Sequence, residues 1–199
     1  MFDLTNINYE AFNKKLHFES HLFDLFVYED DNTKNLSSFK DKRNYPFYYY
    51  LGKSLNPENV LIIGTCGGYK SGLICYSSNN IKNMYVFDFF NNKALMRLTR
   101  NNLGKFRSVK KEFFNDVNKE FYLKKDFFDL IVFDDVKTIE DKSKLYFYYD
   151  LLKEKGNIVF DKIFENKEID NYLIKFAEKR NDKIEKFKTR NQTVIINKS

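Results

Sequence analysis

Four short, unbroken apolar runs punctuate the chain beyond residue 59, and each stops at a glycine or an acid. Val60-Leu61-Ile62-Ile63 ends at Gly64, Met84-Tyr85-Val86-Phe87 at Asp88, Leu130-Ile131-Val132-Phe133 at Asp134, and Ile158-Val159-Phe160, which follows Asn157, at Asp161. Strands without polar alternation are buried on both faces, the mark of a parallel sheet between layers of helices. Helical segments fall between them, at about Ser71–Ser78, Asn91–Leu103, Asp116–Lys124, Ile139–Leu152 and Asn166–Arg180. The repeated β-α-β rhythm predicts a doubly wound α/β fold. The tail breaks this rhythm. Lys183–Lys188 alternates, Thr189–Gln192 turns and Thr193-Val194-Ile195-Ile196-Asn197 follows, which predicts a closing antiparallel hairpin. Upstream, Phe12, Leu16, Leu22, Phe23 and Phe26 are spaced as on a helix. A polar loop follows at 29–35, and a second helix starts near Pro46 and stops before Pro57. Residues 1–56 therefore read as a helical segment leading into one compact unit at 57–199, with no linker or internal repeat dividing them.

Composition narrows the class. A chain of 199 residues, 43% hydrophobic and 31% charged, suits one folded domain. Two cysteines, Cys66 and Cys75, are too few for a disulfide scaffold or a four-cysteine zinc site. No apolar run approaches the ~20 residues of a membrane span. The first residues lack the basic start and apolar stretch of a secretory signal, so a reducing cytoplasm is expected, the host's if the source is viral. Phe (22) and Tyr (14) are abundant while Gly (7), Pro (2) and Trp (0) are scarce. An A/T-rich genome produces that bias, which weakens any functional reading of the aromatic runs Tyr48-Tyr49-Tyr50 and Tyr146–Tyr149. The net charge of +6 is uneven: no acid lies between Phe89 and Lys111, where Lys93, Arg97, Arg100, Lys105, Arg107, Lys110 and Lys111 are basic. Lys93, Arg97 and Arg100 share a helix face, with Ala94, Leu95 and Leu98 left to meet the sheet. Such a face is ordinarily a solvated one, with a nucleic-acid partner as the alternative.

Candidate chemistry gathers at the strand ends, where open parallel sheets bind ligands. Those ends carry Gly64-Thr65-Cys66-Gly67-Gly68, then Asp88, Asn115-Asp116, Asp134-Asp135 and Asp161. Glycines let backbone approach a ligand, and the following helix N-terminus favours anionic groups. Asp88 lies 20 residues past Gly68, the spacing at which an acid accepts both ribose hydroxyls. Helix capping explains some aspartates after strands, but less readily all of them. His17 and His21 lack the glutamate of a zinc-protease motif and read as a structural or solvated pair. Cys66 reads as a small residue in a tight turn.

From Tyr45 to Ile196 the sequence resembles the class I S-adenosylmethionine-dependent methyltransferases. Ile62-Ile63-Gly64-Thr65-Cys66-Gly67-Gly68 keeps two of the family's three spaced glycines, with Cys66 at the middle one and Ile62 in place of the leading acid. Phe128–Lys137 and Gly156–Lys162 are similar to strands of the catechol and caffeoyl-CoA O-methyltransferases. The resemblance implies a Rossmann-like sheet of order 3-2-1-4-5-7-6, with the N-terminal helices as a lid or acceptor wall. It implies S-adenosylmethionine bound by Gly64, Thr65, Gly67, Gly68, Asp88, Asp116 and Asp134, with Lys137 and Asp161 in catalysis. In that family an Asp and an Asp-Asn pair hold a divalent metal; here Lys162 stands at the asparagine, so no metal is expected. The implied activity is O-methyl transfer to a small acceptor. The alternative is an inactive methyltransferase-fold module for binding or assembly, possible in a viral or nucleic-acid setting. A resemblance to aminopropyltransferases such as spermidine synthase rests on Gly64 and Gly67-Gly68 alone.

Overall fold

The computed structural model describes residues 45–64, 66–87, 93–114, 123–134, 142–161, 163, 167–187 and 192–199. Its elements run α1 (Tyr45–Leu55), β1 (Asn59–Ile63), α2 (Tyr69–Ser77), β2 (Asn83–Phe87), α3 (Lys93–Gly104), β3 (Lys110–Phe114) and β4 (Phe128–Phe133). They continue with α4 (Lys142–Leu151), β5 (Leu152–Phe160), α5 (Lys167–Glu178), β6 (Lys183–Phe187) and β7 (Thr193–Asn197). Among the described residues no helix is long and apolar enough to cross a membrane.

The expected doubly wound sheet is present, in the order β3-β2-β1-β4-β5-β7-β6. Strands β1 to β5 pair in parallel, and β7 joins β5 and β6 antiparallel as the terminal hairpin. Burial on both faces explains the unbroken apolar runs. Val60 and Ile62 of β1 pack in one layer with Phe47, Tyr48 and Leu51 of α1, Leu73 and Ile74 of α2, and Leu98 and Leu103 of α3. Leu61 and Ile63 pack in the other, with Leu145 and Tyr148 of α4 and Leu173 and Phe176 of α5. This is the period-2 split of a strand, with both halves apolar.

Several boundaries move. β5 begins at Leu152 rather than Asn157, because Leu152 pairs with Phe128 before a register shift lets Asn157 meet Leu130. The preceding helix consequently ends at Leu151. Leu123 and Lys124 are not helical, so the segment expected over Asp116–Lys124 does not reach its expected end. Its other residues, the helix around Phe12–Phe26, His17 and His21 lie outside the described residues. On α3, Ala94 is exposed and Leu95 half-buried; Met96, Leu98, Thr99, Asn102 and Leu103 form the inner face instead.

Cys75 is buried on α2, 3.7 Å from the Met84 sulfur, and burial pushes its thiol from 9.0 up to about 12. A raised folded-state value contributes stability below pH 9 that is lost as pH rises toward 12. While the folded thiol stays protonated, each pH unit in that window costs about 1.4 kcal/mol. Urea unfolding of Cys75→Ala is expected to show a correspondingly shallower decline from pH 9 to 11 than the wild type; parallel declines would refute the burial argument.

Candidate functional site

The sheet's hydrogen-bond ladder runs one step past the strand ends and builds the site there. The Gly64 amide donates to the Phe87 carbonyl at 2.9 Å, the Asp134 amide to Ile63 at 2.8 Å, and the Asp161 amide to Phe133 at 3.0 Å. Gly64, Asp134 and Asp161 are thereby aligned across β1, β4 and β5. Gly64 has φ +91°, and a Cβ there would lie 3.0 Å from the Asp134 Cβ. Both its conformation and its approach to β4 therefore call for glycine. The chain then enters a 3-10 turn at Cys66–Gly68 and continues directly into α2. Asn102, fully buried on α3, donates its amide to the Gly67 carbonyl at 2.8 Å and fixes the turn to that helix.

Lys70, the second residue of α2, points into this carboxylate row. Its side chain is 4% exposed, and its ammonium makes ion pairs with Asp134 Oδ1 and Asp161 Oδ2. It also lies 5.0 Å from the centre of the Tyr48 ring. The Tyr48 hydroxyl donates to Asp161 Oδ2 at 2.9 Å, and the Thr193 hydroxyl donates to Asp161 Oδ1 at 3.1 Å. Asp161 is fully buried. Burial, reinforced by the neighbouring Asp161 carboxylate, drives the Tyr48 phenol well above its ordinary value, so it remains a donor. Helices α1 and α2 and strands β4, β5 and β7 each contribute one group to this cluster.

Of the expected site residues, the structure aligns Gly64, Asp134 and Asp161 at the strand ends, while Gly67 and Gly68, in the turn that follows Gly64, pack against α3. Thr65, Asp88, Asp116 and Lys137 lie outside the described residues, as does Lys162, and only the backbone of Cys66 is described. Asp134 and Asp161 face one ammonium. Among the described residues no group of three or more His, Cys, Asp or Glu side chains could hold a metal. A divalent ion does not fit between these carboxylates, because Lys70 already provides the cation there.

Lys70, Tyr48 and Thr193 were not expected as site residues. Lys70 carried a signal: it is the only charged side chain between Glu58 and Lys82, beside the glycine turn. Tyr48 was hidden in an aromatic run, and Thr193 opens a strand whose middle, Val194–Ile196, is apolar.

The basic stretch disperses. Lys93, Arg97 and Arg100 are exposed on α3, as their spacing predicts, and Arg100 lies over the Phe113 ring at 5.3 Å. Lys111 turns back to donate to the Leu103 and Phe106 carbonyls at 3.2 and 2.6 Å, satisfying the end of α3. Lys110 pairs with Glu112 at 2.9 Å. A cavity of about 600 Å³, lined in part by Ser54, Asn157, Lys183 and Asn197, opens at the opposite, amino edge of the sheet.

No protein-family model matches the chain, and neither does the sequence of any curated protein. Solved structures do match. A methyltransferase from Geobacter sulfurreducens superposes with a TM-score of 0.68 at 12% identity, over 92% of this chain and 96% of its own. A candidate caffeoyl-CoA O-methyltransferase from Staphylococcus aureus gives 0.67 at 16%, over 94% and 100%. An O-methyltransferase from Bacillus cereus, crystallised with S-adenosylhomocysteine, gives 0.60 at 15%, over 92% and 97%. The fold is that of the class I methyltransferases. In this methyltransferase fold the glycine turn and the Asp134–Asp161 row both occupy the carboxyl edge of the sheet. Identities this low carry the architecture and not the chemistry.

Proposed function

We propose that the protein transfers a methyl group from S-adenosylmethionine to an oxygen of a small acceptor. One observation carries this reading. The Gly64 amide binds the carbonyl of Phe87, the residue just before Asp88. The glycine turn therefore starts beside the last residue of β2, and Asp88 follows that residue in the sequence, which supports a nucleoside ligand at these strand ends. The complexes of structural neighbours with S-adenosylhomocysteine or S-adenosylmethionine support the same ligand.

Gly64, Thr65, Gly67 and Gly68 would hold the ligand through backbone, Asp88 its ribose hydroxyls and Asp116 its adenine. S-adenosylmethionine supplies a methyl group activated on a sulfonium. The protein's contribution to such an in-line displacement is proximity and alignment, with a base where the acceptor must lose a proton. Asp161 is fully buried and accepts from Lys70, Tyr48 and Thr193, so it serves to position its neighbours. Lys137 is the remaining candidate for proton removal. Residues 1–56 would form the acceptor wall; α1, its described part, already reaches the site through Tyr48.

S-adenosylhomocysteine is expected to bind in calorimetry and to raise the melting temperature by mass action. Asp88→Ala removes an acceptor of two hydroxyls, and a charged-acceptor hydrogen bond is worth about 1.5–3 kcal/mol. Affinity should fall roughly tenfold to a hundredfold. No heat and no thermal shift at millimolar ligand would reject the cofactor reading and favour a binding or assembly module.

A further inference from the structure

We infer that the cavity at the amino edge of the sheet binds a small organic carboxylate, its charged end at Lys155 and its apolar body against Leu55 and Ile195. The cavity lies at the opposite end of the strands from Gly64, Asp134 and Asp161, and the inference does not rest on methyl transfer.

The strand register builds one wall. Asn157, Asn197 and Lys183 lie side by side across β5, β7 and β6, with the pair Ile195 and Glu185 on the same face two residues away. Helix α1 packs on this face through Phe47, whose ring lies 5.4 Å from that of Phe187, and ends at Leu55. A cavity of about 600 Å³ opens between its last turn and the polar row. Small-molecule pockets span roughly 300–1,000 Å³.

Three polar groups of the lining are left over. Ser54 Oγ is buried without a hydrogen-bond partner, a costly state that a ligand can relieve. The Asn197 amide donates to the Asn157 side-chain carbonyl at 3.0 Å, which leaves the Asn157 amide nitrogen without a partner among the described residues. Lys183 pairs with Glu185 and Lys198 with Asp126, but no acid among the described residues pairs with Lys155, exposed at the mouth. The backbone is bent to place that lysine. Leu152 to Asn157 of β5 faces only Phe128 to Leu130 of β4, and within this bulge Lys155 has φ +62°, in the left-handed region. The Lys155 amide donates to the Lys198 carbonyl and the Lys198 amide to the Gly156 carbonyl, each at 3.0 Å, so the bulge is pinned to β7. Bulges re-aim side chains, and strained positions held this way cluster at ligand sites. One unpaired ammonium with an amide and a hydroxyl donor matches a single carboxylate, and Leu55 and Ile195 match an apolar body.

The probe is 4-fluorobenzoate, followed by fluorine NMR on the intact chain, with neutral 4-fluorobenzamide as its control. The benzoate is expected to bind saturably at millimolar concentration. The benzamide should bind roughly tenfold more weakly, the usual worth of a hydrogen bond to a charged group. Lys155→Gln changes an exposed side chain and should weaken the benzoate by a similar factor while leaving the benzamide unaffected. Ser54→Ala should weaken the benzoate and yet raise the melting temperature of the free protein, because it removes a buried group that has no partner. No saturable benzoate binding at millimolar concentration, equal binding of the two probes, or a benzoate affinity unchanged in either variant would overturn the inference. Displacement of the benzoate by S-adenosylhomocysteine would place it at the carboxyl edge and overturn the inference as well.

Discussion

Lys70→Met is expected to lower the unfolding free energy by about 3–5 kcal/mol, the usual result of removing one partner from a buried ionic cluster. The hydrophobic replacement fits along the lysine stem but takes the buried ammonium away from both Asp134 and Asp161. Asp134 is 6% exposed and Asp161 fully buried, so water can restore little of the lost solvation. For a chain of this length a loss of that size lowers the melting temperature on the order of 10 °C. The cause separates from mere loss of packing in the triple variant Lys70→Met, Asp134→Asn, Asp161→Asn. It keeps the methionine but removes both negative charges, and should recover a large part of the stability. Denaturant midpoints at constant slope measure both effects. A single variant within about 1 kcal/mol of wild type would mean that the cluster is solvated rather than buried, given the size of the expected penalty.

The contrast between Lys70 and the strands shows where sequence reading succeeds. A strand buried on both faces must be apolar at every position, so Val60–Ile63 and Leu130–Phe133 identified themselves and fixed the sheet. The acids ending those runs were equally visible, since a polar residue terminating a fully buried strand has to emerge at the sheet's edge. The partners of those acids were not. Tyr48 meets Asp161 across 113 positions and Thr193 meets it across 32. Such contacts depend on which helix lies over which strand end, and no local periodicity records that. The start of β5 was missed for a related reason. Leu152-Lys153-Glu154-Lys155 lacks an apolar run, and its partners are remote in sequence: Leu152 pairs with Phe128 of β4 and the Lys155 amide donates to the Lys198 carbonyl. The α3 face was partly misread because Thr99 and Asn102 are buried there as hydrogen-bonding groups, Thr99 on the Leu95 carbonyl and Asn102 on Gly67. Polar residues that satisfy themselves internally look like solvent-facing ones in a sequence.

Gly52→Ala is expected to destabilise the protein by about 1–3 kcal/mol, although alanine is the better helix former. In an exposed helix the exchange would gain up to about 1 kcal/mol. Here α1 crosses α2 so closely that a Cβ on Gly52 would lie 2.3 Å from the Ser77 hydroxyl, 2.7 Å from the Ile74 carbonyl oxygen and 2.9 Å from the Ile74 Cα. The serine can rotate away, but the Ile74 atoms belong to the backbone of α2 and cannot. The two helices must therefore move apart. Ser77→Gly combined with Gly52→Ala removes only the side-chain part of the overlap, so it should recover little. The displacement should also reach the site. Tyr48 lies one helical turn before Gly52 on α1, and Lys70 lies one turn before Ile74 on α2. Separating the helices draws the Tyr48 hydroxyl from Asp161 and the tyrosine ring from the Lys70 ammonium. Tyr48 is driven above its ordinary value chiefly by burial, so loosening the contact should bring its ionisation back toward pH 10. Ultraviolet difference titration of Gly52→Ala, with Tyr48→Phe in the same background to identify the signal, measures this. A Gly52→Ala protein as stable as wild type, with its tyrosine titration unchanged, would show that α1 does not bear on α2 at this crossing.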